Sequence, residues 1–180
     1  MSEIRIAKRY AKSVMDLAVE HNALERVNED MRLIENTCKE NRQLVVSLSN
    51  PVIHASKKNS ILNAIFGGKI SDITQKLLTL LCNKHRVQFL YEISTEFRNA
   101  YNEHMGIEVA QVATPFELDG MLRSQFTEIV KSISGKSKVE LIEKVDESLI
   151  GGYVLTVKDR QIDDSIRARL RKMRTKLVFA

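Results

Sequence analysis

Apolar residues recur every three or four positions through the first hundred residues, and after that the period shortens. Between residues 4 and 20, Ile4, Ala7, Ala11, Val14 and Ala18 share one helical face, and Ile6, Tyr10, Val14 and Leu17 form an adjoining stripe. Together they make an apolar surface wider than one neighbour needs, and the alanines let another helix come close. Leu24, Val27, Met31, Ile34 and Cys38 are in register for a second helix. A short third helix carries Leu44, Val45, Val46 and Leu48 and ends near Asn50-Pro51, because proline restricts the residue before it. Ser56 is placed to cap a helix over residues 57–66, which Gly67-Gly68 ends. Ser71 or Asp72 caps the next, with Ile73, Leu77, Leu80 and Leu81. Phe89, Ile93, Phe97 and Tyr101 mark the last helix of this half, which fades at His104-Met105-Gly106.

Beyond Gly106 the pattern is mixed. Residues 107–114 are rich in valine and alternate as a strand does, and Pro115 closes them. Leu118, Leu122, Phe126, Ile129 and Ile133 form a helical stripe stopped by Gly135. Residues 139–145 alternate again, 153–157 make a third strand, and a final helix carries Ile166, Leu170, Met173 and Leu177. The expected class is α+β, mostly α. A six-helix bundle over residues 1–105 precedes a small β-α-β-β-α domain over residues 106–180.

Composition narrows the picture without deciding it. Of 180 residues 43% are hydrophobic, enough for real cores, and 28 basic against 23 acidic residues leave a net charge of +5. The basic excess is spread over both halves, which argues against a dedicated nucleic-acid binder. Cys38 and Cys82 form no CxxC pair, so a reducing cytoplasm is the default. No apolar run approaches the roughly 20 residues that span a bilayer, and the start Ser2-Glu3-Ile4-Arg5 has no signal-peptide character.

Candidate chemistry is sparse. His21, His54, His85 and His104 sit near four different helix ends, and none pairs with Cys or a carboxylate at a ligand spacing, so no metal or cofactor is expected. Gly151-Gly152 leads into a strand and lacks the Lys-Ser/Thr pair of a phosphate loop; backbone freedom at a bulge or tight turn is the better reading. Asp163, Asp164 or Ser165 is placed to cap the final helix. That helix carries Arg167, Arg169, Arg171, Lys172, Arg174 and Lys176 and no acid. This suits a solvated face or an acidic protein partner, and leaves a basic nucleic-acid-binding adaptor as the alternative. The broad surface of the first helix is either covered by two neighbours or partly open as a groove for a partner's amphipathic helix.

Two segments carry a family resemblance. Arg9-Tyr10-Ala11-Lys12-Ser13-Val14 resembles the opening RYAxAL helix of the δ subunit of bacterial F-type ATP synthase, whose mitochondrial relative is the oligomycin-sensitivity-conferring protein. Ser148-Leu149-Ile150-Gly151-Gly152, then ten residues and Asp163-Asp164-Ser165, resembles that family's C-terminal signature, and Leu77 to Arg86 its LLxxLxxxxR helix end. Glu147, Lys158 and Asp164 depart from the pattern, all in turns.

The resemblance implies a non-catalytic stator subunit. Its helical domain would hold the N-terminal helix of an α subunit on the α3β3 head, in a groove between the first and fifth helices. One wall would be Ala7, Tyr10, Ala11 and Val14, the other Ile73, Leu77, Leu78 and Leu81. The C-terminal domain would engage the b-type peripheral stalk, with Gly151, Gly152, Asp163 and Ser165 as its structural motif. Membrane association would be indirect, at the cytoplasmic face of a bacterial inner membrane.

Overall fold

The computed structural model describes residues 3–178, with side chains through Thr175. The chain divides into two compact units, Met1–Tyr101 and Asn102–Ala180. The first holds α1 (Glu3–Glu20), α2 (Leu24–Glu40), α3 (Arg42–Ser49), α4 (Ala55–Phe66), α5 (Asp72–Asn83), a 3-10 turn (Val87–Phe89) and most of α6 (Leu90–His104). The alanine face of α1 is interior: Ala7, Ala11 and Ala18 are buried with Val14 and Met15. Small side chains let α1 lie close to α2, α5 and the 3-10 turn. Val27, Met31, Ile34, Leu62, Phe66, Leu78, Leu81, Ile93 and Phe97 fill the rest of this core.

Both thiols belong to that core. Burial, with Glu92 and Glu35 adding to it, pushes the Cys38 thiol up to about 11, and burial also raises Cys82. A protonated thiol is a poor nucleophile. Ellman's reagent at pH 8 is therefore expected to label neither cysteine in the folded protein and both in denaturant. Rapid labelling of the native chain would contradict this packing.

The second unit is a four-stranded sheet with α7 (Gly120–Ser134) on one face and α8 (Ile166–Val178) at its end. β1 (Ile107–Thr114), β2 (Lys138–Val145), β3 (Val154–Val157) and β4 (Arg160–Asp163) lie in the order β2-β1-β3-β4. β1 and β2 are parallel, with Ile107 opposite Lys138, and α7 is their crossover. β3 runs antiparallel to both β1 and β4. Ala110 pairs with Leu141 and Val157, so alternate residues of three strands share one face. That face packs on Phe126 and Val130 of α7 and on Leu118. The ring of Tyr153 meets Phe126 edge-on at 5.0 Å.

The structure corrects three local expectations. The fourth strand, β4, was absent from the sequence reading; all four of its residues are exposed and only Ile162 is apolar, so periodicity carries no signal there. It exists because Lys158, at φ 51, turns the chain back on β3. α4 starts at Ala55 after His54, so Ser56 lies inside the helix rather than capping it. Asn50 Oδ1 accepts from the Val52 amide, and that turn brings the chain into the helix early. Leu118 precedes α7: Asp119 is the cap, accepting from the Leu122 amide at 2.7 Å.

Candidate partner-binding site

An open cavity of about 460 Å³ lies between α1 and α5. α1 contributes Tyr10, Ser13, Val14 and Leu17, with His21 just past its end, and α5 contributes Ile73, Lys76, Leu77 and Leu80. The spacing 10, 14, 17, 21 is one face of a helix, and 73, 77, 80 repeats it, so two helical stripes line two sides of one trough. Its lining is largely apolar, and its polar groups are the Tyr10 and Ser13 hydroxyls, the His21 imidazole and the Lys76 ammonium. Leu17 and Leu80 are nearly half exposed, at 45% and 43%. The Arg86 guanidinium stands 6.0 Å over the Tyr10 ring, a cation–π contact that holds the ring.

Four of the eight groove residues expected from sequence line this cavity: Tyr10, Val14, Ile73 and Leu77. Ala7, Ala11, Leu78 and Leu81 do not line it. They are at most 2% exposed and form part of the core beneath it. An Ala11→Arg exchange would therefore break the helical unit rather than report on the groove. Leu17, Leu80, Ser13, His21 and Lys76 also line the cavity and are not among those eight. Leu17 was visible in the adjoining stripe of α1 and Leu80 in that of α5, and His21 falls four residues after Leu17.

The α5 wall is held from α2. Asp30, buried on α2, accepts at a single oxygen from the Ser71 amide (2.8 Å), the Ser71 hydroxyl (2.6 Å) and the Thr74 hydroxyl (2.9 Å). Arg26 adds a bond to the Lys69 carbonyl at 2.7 Å. Ser71 occupies the N-cap of α5 but its own side chain makes no capping bond. The cap comes instead from a residue 41 positions earlier.

In the second unit the glycine pair closes a lock. The Ile166 amide donates to the Gly151 carbonyl and the Asp164 amide to that of Tyr153, both at 3.0 Å. Ser165, fully buried, caps α8 by accepting from the Ala168 amide at 3.1 Å. Asp163 accepts from both the amide and the hydroxyl of Ser165 and so orients it. These bonds hold the Asp163 carboxyl below its ordinary range. Asp164 pairs with Arg169. The three capping candidates thus have separate roles. Beyond this lock α8 is uncovered: Ile166, Leu170 and Met173 are 42%, 53% and 61% exposed. Lys176 and Leu177 lie outside the described side chains.

Among the described residues no group of three His, Cys, Asp or Glu side chains is placed to hold a metal ion, and no helix is long and apolar enough to cross a membrane. The fold and its surfaces define a two-unit, mostly helical protein whose open features are an apolar trough and a basic helix.

Residues 6–177 match the family model described as ATP synthase delta (OSCP) subunit. ATP synthase subunit delta of Cytophaga hutchinsonii is 48% identical over 176 residues, 98% of this chain and 96% of that protein. The same subunit of Chloroherpeton thalassium is 33% identical over 96% of this chain and 93% of that protein. A chain in the structure of the Toxoplasma gondii mitochondrial ATP synthase hexamer shares the fold, with a TM-score of 0.73 and 21% identity over 96% of this chain and 97% of that one. The chain belongs to the ATP synthase delta (OSCP) subunit family, a family of non-catalytic subunits of the synthase.

Proposed function

We propose that this chain is the stator subunit that ties the peripheral stalk to the α3β3 head of an F-type ATP synthase, so that rotation is coupled to synthesis. The trough between α1 and α5 carries the reading. It is open, largely apolar and flanked by two helices, the form that accepts an amphipathic helix. Its occupant is the N-terminal helix of an α subunit, seated on Tyr10, Leu17, Ile73, Leu77 and Leu80. Residues 1–105 bind the head, as a six-helix bundle, and residues 106–180 engage the end of the b-type stalk subunit. The protein acts at the cytoplasmic face of the bacterial inner membrane and reaches the membrane only through its partners.

The test is a titration of the full chain into a dye-labelled peptide from the N-terminus of the same organism's α subunit, read by anisotropy. Saturable one-to-one binding is expected. Leu80→Asp should weaken it about a hundredfold, because a carboxylate would replace an apolar anchor in a desolvated contact. Leu80 is 43% exposed, so far-UV circular dichroism should not change. Equal affinity of the variant would remove the groove from the reading. If the peptide fails to bind while an oligonucleotide binds with steep salt dependence, the function lies with the basic helix instead.

A further inference from the structure

In the C-terminal unit Ile150 combines a positive φ with an exposed, β-branched side chain. Its backbone sits at φ 68 and ψ −34, where a β-branched side chain is an outlier. Glycine would sit there at lower cost. The side chain does not repay the strain by packing, since it is 65% exposed. Its neighbour Leu149 is buried at 1% and anchors the turn, so the turn does not need Ile150 to hold its place. A large apolar side chain held out in a strained conformation is what a contact surface retains against folding preference.

The surroundings indicate what it meets. The Gly151 carbonyl accepts from the Ile166 amide, so the turn bearing Ile150 adjoins the first turn of α8. From there the exposed stripe Ile166, Leu170, Met173 runs along the helix. Arg167 and Arg169 are engaged by Ser148 and Asp164. Lys172 acts on the Asp163 carboxylate, Arg171 and Arg174 make no ion pair among the described residues, and residues 166–175 contain no acid. An apolar stripe flanked by an excess of cations complements an amphipathic helix whose apolar face is bordered by carboxylates.

We propose that Ile150 is a preset docking knob, which together with the Ile166–Met173 stripe receives an acid-flanked amphipathic helix. This rests on the stalk-binding reading above and names its anchor. The turn fixes the backbone that carries the side chain before binding, so less freedom is lost when the partner arrives.

The strain makes the proposal testable, because stability and binding should move in opposite directions. The probe is a labelled peptide covering the C-terminal helix of the same organism's b-type stalk subunit, titrated with the full chain. Ile150→Gly should leave the melting temperature unchanged or higher, because glycine takes this backbone without a Cβ penalty. It should weaken peptide binding about tenfold or more, as loss of an apolar anchor does. Ile150→Leu, apolar but not branched at Cβ, should keep wild-type affinity. If Ile150→Gly lowers the melting temperature by several degrees, or binds as wild type does, the knob is overturned and the stalk reading stands. If wild type itself does not bind the peptide, the stalk reading fails and takes the knob with it.

Discussion

Gly152→Val is expected to unfold most of the C-terminal unit while leaving the helical unit intact. Gly152 sits at φ 75, and a Cβ there would collide with the Asp164 carbonyl oxygen and lie 3.1 Å from the Ser165 Cα. Both obstacles are backbone, held by the lock that caps α8, so neither can turn aside. A β-branched residue adds the cost of positive φ. The two effects together come to about 4 kcal/mol or more. That is a large part of the roughly 5–10 kcal/mol that holds a domain of this size together. Gly151→Ala is the control. Its Cβ would meet only the tip of the Ile166 side chain, which can rotate away, and a loss of about 1 kcal/mol is expected. In two-dimensional NMR spectra, dispersed amide signals from residues 107–175 should collapse in Gly152→Val and those of α1 to α5 should persist. The α-subunit peptide should still bind. A wild-type spectrum would show that the glycine does not sit against α8.

Elements whose burial is periodic were legible in the sequence. The helices of the first half and β1, α7, β2 and β3 each present an apolar stripe to a core, and hydrophobic patterning reports burial. β4 was not legible, because an exposed edge strand is held by backbone bonds to β3 and by a turn at Lys158, neither of which leaves an apolar trace. The lining of the cavity between α1 and α5 was half legible for a related reason. α1 carries two apolar stripes, and a sequence does not say which meets the core and which meets a cavity. Alanines suggest close approach, of a neighbouring helix or of a partner, and only the family resemblance put Ala7 and Ala11 on a groove wall. In the fold Ala7 and Ala11 admit the neighbouring helices of the same chain, and the larger side chains Tyr10 and Leu17 face the trough. The signature from Ser148 to Ser165 was legible as architecture, but dividing its roles needed coordinates. Ser165 caps, Asp163 orients it and Asp164 pairs with Arg169.

Asp30→Ala is the second substitution expected to have a large effect, and nothing local to Asp30 announces it. On α2 it looks like one more polar position beside Glu29 and Arg32. Its carboxylate is nevertheless buried and supplies the acceptor for three donors at the start of α5. Alanine would leave the Ser71 amide and two hydroxyls facing an unfilled space, and Arg26 without its buried countercharge. Removing one member of such a buried charged network costs about 3–5 kcal/mol. Ile73 and Leu77 stand on the first turns of α5, so the variant should also lose affinity for the α-subunit peptide. Asp30→Asn separates charge from hydrogen bonding. All three donors converge on one oxygen, which an amide carbonyl can replace, while the amide nitrogen would turn toward Arg26 at the position now 3.6 Å from its Nε. Asparagine should therefore cost about 1–2 kcal/mol and keep most of the peptide affinity. Thermal melts and peptide titrations of the two variants decide the matter. If alanine is tolerated as well as asparagine, α5 is placed by its apolar face alone. If alanine lowers both stability and binding and asparagine does not, one carboxylate oxygen on α2 sets the wall of the partner groove.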